Sequence, residues 1–249
     1  MGALHEGHLS LIRRSKTEND RTVVSIFVNP TQFGPNEDLS KYPRPIEKDL
    51  ELATEAGADI VFAPNTSEMY GDSTTLIHVP VVSDFFEGAI RPGHFDGVAT
   101  VVTKLFNIVG PQNAYFGEKD IQQCAVIRKL IGDLNFPTNM IVCETIRESN
   151  GLAKSSRNAY LNESELEFAP LIFQTLLEAK GKILMGGNVA EVVENSIKLL
   201  SQHSFEVNYF DLVDRNTMRP VSELGQNCSL IVAAGLGTTR LIDNVKVVG

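Results

Sequence analysis

The sequence has no run of 18 or more apolar residues among its 249, so no segment reads as a helix able to cross a bilayer. It opens on MGALHEGHLS, with histidine and glutamate where a secretory leader needs an apolar stretch. These residues therefore do not read as a signal peptide. Cysteine is scarce: Cys124, Cys143 and Cys228 are odd in number and far apart. That argues against a disulfide framework or zinc knuckle and for a reducing, cytoplasmic setting. Basic charge is also short, with 22 Lys and Arg against 31 Asp and Glu and a formal charge of −9. A nucleic-acid surface normally shows the opposite balance. A small anion in a locally basic pocket remains compatible with it. There is no internal repeat and no low-complexity tract.

What is present is a globular composition, 43% hydrophobic and 21% charged, long enough for one large domain or two unequal ones. Leu9 and Ile12 recur at helical spacing over 8–19. RTVVSIFV (21–28) is a β-branched run of the kind buried on both faces of a parallel sheet. Residues 29–45 form a long loop with four prolines, a length that in a compact domain is usually functional or disordered. A helix over 46–57 should stop at Gly57. The chain then alternates: strand 58–64, short strand 75–80, loop 91–97, helix 98–109, strand 113–117, helix 121–134, strand 138–146. This predicts an α/β fold with a doubly wound, mostly parallel, Rossmann-like sheet over residues 1–152, whose ligands sit beyond the carboxyl ends of the strands. Two helices (163–180 and 189–202) and three strands (206–214, 228–237, 240–249) predict a smaller C-terminal α+β domain over 153–249.

Four stretches carry candidate chemistry. In HEGH, His5 and His8 are spaced i, i+3, not the i, i+4 of a zinc-protease helix. At a helix start they suit an anion, with Gly7 permitting close approach; two capping histidines are the plain alternative. FGEKD (116–120) puts Lys119 and Asp120 at a strand end, where Lys119 can reach a phosphate or simply be solvated. AKSSRN (153–158) gathers Lys154, Ser155, Ser156 and Arg157, suited to a polyphosphate or to an ordinary helix cap. Asn29 and Gln32 follow the first strand. Turn chemistry explains Asn29-Pro30 well and Gln32 poorly. Each signal is weak alone; all follow predicted strands, which would gather them in one crevice.

With MGALHEGHLSL, VVSIFVNPTQF, YPR, RPGHFDGVATVV, YFGEKDIQQ, GLAKSSRN and RLIDN taken together, the chain resembles the pantoate–β-alanine ligase family of the HxGH nucleotidyltransferase superfamily. The resemblance implies an ATP-dependent condensation of pantoate with β-alanine through pantoyl adenylate, with Mg²⁺ accompanying ATP. It implies an ATP site formed by Met1, Gly2, Ala3, Leu4, His5, Glu6, Gly7 and His8, by Gly117, Glu118, Lys119 and Asp120, by Ile146 beside adenine, and by Lys154, Ser155, Ser156 and Arg157. The expected catalytic groups are His8, His5, Lys119, Ser155, Ser156 and Arg157. Gln32, Gln123, Asn29 and His94 are expected near pantoate or β-alanine, and Asp49 at a magnesium position. The second domain is expected to act as a lid, and the assembly to be a homodimer.

Two departures from the family pattern are visible. Lys154 stands where the family usually has methionine, adding a charge without removing a ligand. In the family a strand, within about thirty residues comparable to one βα unit, precedes the segment matching MGALHEGH. On that basis the chain is expected to be a shortened form, less stable than a longer one. A different HxGH nucleotidyltransferase and an inactive nucleotide-binding remnant stand as alternatives. Pantoate-dependent pyrophosphate exchange separates the first from the ligase, and a turnover assay the second.

Overall fold

The computed structural model describes residues 2–35 and 37–248. It divides into two compact units, residues 1–118 with 122–144, and residues 119–121 with 145–249. The sequence reading placed the change after residue 152.

In the first unit α1 (Glu6–Glu18) opens the described structure, followed by β1 (Val23–Ser25), α2 (Ile46–Glu55) and β2 (Ile60–Phe62). β1 and β2 pair in parallel with Val23 opposite Ile60. Leu9 and Ile12 of α1 pack on Ala53 and Ala56 of and just beyond α2, as their helical spacing requires. α2 ends two residues early, at Glu55, and Gly57 takes φ +102° just beyond it. After the short helices α3 (Thr66–Met69) and α4 (Phe86–Ile90) comes α5 (His94–Val109), bounded by left-handed Gly93 and Gly110. β3 (Asn113–Gly117), α6 (Ile121–Asp133) and β4 (Asn139–Cys143) complete the unit. β3 and β4 pair in parallel from Asn113–Asn139 to Gly117–Cys143. Val98, Ala99, Val126, Ile127 and Leu130 form the core that α5 and α6 share.

Three local expectations change. α5 begins four residues earlier than predicted because Gly93 starts it inside the RPGHF turn. Residues 75–80 form no strand: the Ile77 N–H donates to the Thr100 hydroxyl at 2.9 Å, so this extended segment is tied to α5 and not to a ladder. β1 is shorter than 21–28 and not buried on both faces, with Val23 and Ser25 exposed. The reason is visible beside it. Among the described residues β1 pairs only with β2, and β3 only with β4. Val23–Ser25 and Asn113–Phe116 both line a groove of about 870 Å³, together with α1 residues such as Leu11 and α5 residues such as Phe106.

The second unit contains α7 (Glu163–Phe168), α8 (Leu171–Leu184), α9 (Val189–Gln202), β5 (Phe205–Asp214), β6 (Cys228–Leu236) and β7 (Thr239–Val248). The single helix expected over 163–180 is broken at Ala169-Pro170, because proline has no N–H to continue the ladder. The strands form an antiparallel sheet in the order β5-β6-β7. β6 and β7 are joined by Gly237 and Thr238, with Gly237 at φ +56°, the left-handed geometry that tight hairpins favour. Leu176, Leu200, Leu212, Leu230 and Val232 are fully buried at the heart of this unit.

Candidate active site

The HEGH segment is a helix cap. His5 is the N-cap of α1; its Nδ1 accepts the Gly7 N–H at 3.1 Å, and His8 Nδ1 accepts the His5 N–H at 3.3 Å. The rings face each other with centroids 4.0 Å apart. A ring nitrogen that accepts carries no proton, so both neutral imidazoles hold theirs on Nε2. The helix start thus combines backbone N–H groups, the positive end of the dipole and two Nε2–H donors, a set suited to an anion. Gly7 has a second reason to be glycine: a Cβ there would lie 2.9 Å from the His5 ring.

The loop before this cap is anchored from α2. Asp49, 1% exposed, accepts the Ala3 N–H at 2.8 Å and the Leu4 N–H at 2.7 Å, one on each carboxylate oxygen. Gly2 at φ +85° and Ala3 at φ +51° bend the loop onto it, and a Cβ on Gly2 would come within 2.8 Å of Asp49 Oδ2. Each oxygen of Asp49, the residue expected at a magnesium position, thus accepts one amide of the loop. No group of three His, Cys, Asp or Glu able to hold a metal occurs among the described residues. Met1 lies outside the described residues. Glu6 is exposed and pairs with Arg13.

Asn29 and Gln32 are both buried, in the turn Pro30–Gln32 that follows β1. Asn29 Nδ2 donates to Gln32 Oε1 at 3.2 Å and to the Gly97 carbonyl at 3.1 Å. Its Oδ1 accepts the Tyr70 hydroxyl at 2.6 Å and the Thr31 hydroxyl at 2.9 Å. Burial pushes the Tyr70 phenol up, against the pull of its hydrogen bonds to Thr31 and Asn29. Close docking of α5 on this turn makes Gly97 obligatory: a Cβ there would lie 2.4 Å from the Thr31 carbonyl oxygen. His94 Nδ1 lies 2.8 Å from the Gln32 carbonyl oxygen and its Nε2 3.1 Å from Arg91. Burial, then the Arg91 charge, lower its pKa. In α6, Gln122 is spent internally: Oε1 accepts the Glu87 N–H at 3.0 Å and Nε2 donates to the Val82 and Phe85 carbonyls. Its neighbour Gln123 is half-buried.

Gly117 closes β3, and Glu118, Lys119 and Asp120 form a single 3-10 turn before α6. Lys119 and Asp120 lie in the second unit, their charged groups 3.5 Å apart. The Lys119 carbonyl accepts Asn244 Nδ2 at 3.0 Å. Ile146 is half-buried, and its carbonyl accepts the Lys154 N–H at 2.9 Å. Lys154 pairs with Glu148 at 2.8 Å. Ser155 caps the following 3-10 turn by accepting the Arg157 N–H at 3.2 Å, so the plain capping explanation holds for that hydroxyl. Ser156 and Arg157 begin the turn it caps.

Sequence reasoning missed several supporting residues. Arg147 reaches Asp243 with two bonds, at 2.6 and 2.9 Å, and lies 3.6 Å over the Phe173 ring. Asp243 and Asn244 are the last two residues of RLIDN, a segment read from sequence without a role. One holds the arm that carries Ile146 and Lys154; the other holds Lys119. Glu37, Tyr70 and Arg91 were likewise unread, since the bonds Tyr70–Asn29, Arg91–Glu37 and Arg91–Gln32 span 41, 54 and 59 residues.

A parallel-sheet unit that opens its first helix on two paired capping imidazoles defines the class: an α/β enzyme of HxGH type. A family model described as pantoate-beta-alanine ligase matches residues 1–246. Pantothenate synthetases of Thermosipho africanus and Sulfurihydrogenibium sp. are 48% and 50% identical over 247 and 250 residues, covering 98% and 99% of this chain and 89% of each relative. The crystal structure of pantothenate synthetase from Thermus thermophilus superposes with a TM-score of 0.96 at 44% identity, covering all of this chain and 91% of that one. Pantoate-beta-alanine ligase from Francisella tularensis, solved with beta-gamma ATP and beta-alanine, gives 0.81 at 36% identity, covering 99% and 87%. The chain belongs to the pantoate–β-alanine ligase family, which sets aside a different HxGH transferase.

Proposed function

We propose that this chain condenses pantoate with β-alanine to give pantothenate, AMP and pyrophosphate, and that the residues above do so in named roles. In the first step a pantoate carboxylate oxygen bonds to the α-phosphorus of ATP, and pyrophosphate leaves with the broken bond's electron pair. In the second the β-alanine amine bonds to the acyl carbon, loses a proton, and AMP leaves. Charge grows on phosphate oxygens in the first step, so fixed donors lower that barrier and no covalent enzyme intermediate is needed.

The observation that carries this reading is the paired cap of α1, two imidazoles held together at a helix N-terminus. His8 is assigned as the transition-state donor and His5 as its companion. Gly2, Ala3 and Leu4 supply the loop that meets ATP, with Met1, Glu6 and Gly7 in the same segment. Gly117, Glu118, Lys119 and Asp120 are assigned to ATP, with Lys119 on the phosphates and Asp120 toward the ribose. Ile146 is assigned to adenine, and Lys154, Ser155, Ser156 and Arg157 to the phosphates. Gln32 and Gln123 are assigned to pantoate.

Mg²⁺ belongs to this reading together with the incoming nucleotide, beside the loop that Asp49 holds through two backbone amides. A cytoplasmic setting is supported by three free, buried cysteines; no helix among the described residues is long and apolar enough to cross a membrane. A homodimer is the assembly expected from the family. The test is single-turnover formation of pantoyl adenylate by His8→Ala. Losing one such donor costs about 3–4 kcal/mol, a 100- to 1000-fold slower step. A rate near wild type removes His8 from the mechanism, and absence of turnover in the unmutated chain would make it a nucleotide-binding remnant.

A further inference from the structure

We infer that Arg91, with Glu37 and His94, is a positioning device for Gln32, and that His94 and Asn29 act on the acid substrate only through Gln32. The inference rests on the assignment of Gln32 to pantoate made above.

The geometry is a closed relay. Arg91 stands at the C-terminal end of α4, four-fifths buried. Its Nε and one terminal nitrogen grip both Glu37 oxygens, at 2.8 and 2.6 Å. That same terminal nitrogen lies 3.4 Å from the Gln32 carbonyl oxygen. The other donates to His94 Nε2 at 3.1 Å. An Nε2 that accepts forces the His94 proton onto Nδ1, where it donates to the Gln32 carbonyl at 2.8 Å. Arg91 therefore fixes the tautomer of the histidine that fixes Gln32. The lowered pKa of His94 accords with a ring held neutral for that purpose.

The other side of the turn is held as firmly. Asn29 Nδ2 donates to Gln32 Oε1, which sets which end of the Gln32 amide is the donor. The Asn29 side chain spends its bonds inside the protein, on Gln32, Gly97, Thr31 and Tyr70. Two successive segments are thus pinned to the α4–α5 junction: the backbone of Gln32 by His94 and Arg91, and the loop five residues on by the Arg91–Glu37 fork. A bidentate arginine fork holds a plane as well as a charge, and lysine offers only a point charge.

Kinetics with each substrate varied in turn test this. Gln32→Ala, His94→Ala, His94→Asn, Arg91→Ala, Arg91→Lys and the double variant Gln32→Ala/His94→Ala would be compared, with thermal midpoints as a check on folding. His94→Ala and Arg91→Ala should raise the KM for pantoate about tenfold, the effect of one lost hydrogen bond to a positioned group, with the KM for ATP within about twofold. His94→Asn keeps a donor near Nδ1 and should recover most of the loss; Arg91→Lys should recover little. In the Gln32→Ala background, His94→Ala should add nothing further, because its effect passes through Gln32. Additive losses, or equal changes in both KM values, overturn the inference. An unchanged pantoate KM and kcat in Gln32→Ala would instead remove the Gln32 assignment beneath it. If Arg91→Ala does not fold, the two His94 variants and the double variant decide.

Discussion

Replacing Asp49 by asparagine should loosen the loop that enters α1 without unfolding the protein. The carboxylate accepts two consecutive amides, from Ala3 at 2.8 Å and Leu4 at 2.7 Å. Hydrogen bonds to a charged acceptor contribute about 1.5–3 kcal/mol each. Asparagine keeps one acceptor and turns an NH₂ toward the other N–H, so at least one bond is lost. Alanine loses both, about 3–6 kcal/mol by the same measure. This loss falls on a short segment at the start of the chain, holding Ala3 in a left-handed conformation at φ +51°. The segment can detach locally, so the thermal midpoint should move little while loop order falls steeply. A loss of about 3 kcal/mol lowers the ordered fraction's equilibrium constant by about 100-fold, and apparent ATP affinity falls with the competent fraction. Hydrogen exchange at the Ala3 and Leu4 amides and ATP binding at two Mg²⁺ concentrations measure both effects. Asp49→Asn should speed exchange at both amides and weaken ATP binding to the same extent at either Mg²⁺ concentration. Unchanged exchange refutes the anchor, and recovery of affinity by excess Mg²⁺ returns Asp49 to the metal.

Three charged residues, one glycine and one histidine give further tests. Lys119→Ala should impair ATP use more than Lys154→Met, because Glu148 holds Lys154 at 2.8 Å whereas Asp120 lies 3.5 Å from Lys119; steady-state kinetics in the reverse order would exchange their roles. Gly97→Ala should destabilise by about 1–3 kcal/mol or more in a denaturant melt, since its Cβ would meet backbone of Thr31 at 2.4 Å. Asp243→Ala should cost about 3–5 kcal/mol, because Arg147 would be left largely buried with its charge unpaired; a loss below about 1 kcal/mol would show that the pair behaves as a surface one. His94 has its pKa lowered in the fold by burial and Arg91, with Glu37 and Glu87 opposing. The unfolded chain therefore takes up the proton first, and the stability His94 contributes is full above about pH 6.5 and is lost as pH falls below it. Thermal midpoints from pH 8 to 5 should fall less steeply for His94→Asn than for wild type.

The sequence alone carried what depends on local pattern. The 3.6-residue spacing of Leu9 and Ile12 placed α1 to within two residues at its start, because a helix needs only neighbours to form its bonds. HEGH was legible as a helix start for the same reason: a cap is completed within three residues. The alternation of strands and helices was legible because a period-2 or β-branched run and a period-3.6 run are different local patterns. What tertiary structure decided lay in pairs far apart along the chain. Asp49 was expected at a magnesium position only through the resemblance, and its hold on the loop 45 residues earlier shows only in the fold. Gln32 stood out because no turn explains it, yet the groups that hold its carbonyl, on Arg91 and His94, lie 59 and 62 residues away. Residues 75–80 had the composition of a strand but found a threonine hydroxyl where a strand needs a ladder. β1 had the composition of a doubly buried strand, and only the groove beside it shows why Val23 is exposed. A side chain's partner is set by which elements the fold brings together, and that is written in no stretch of sequence shorter than the fold.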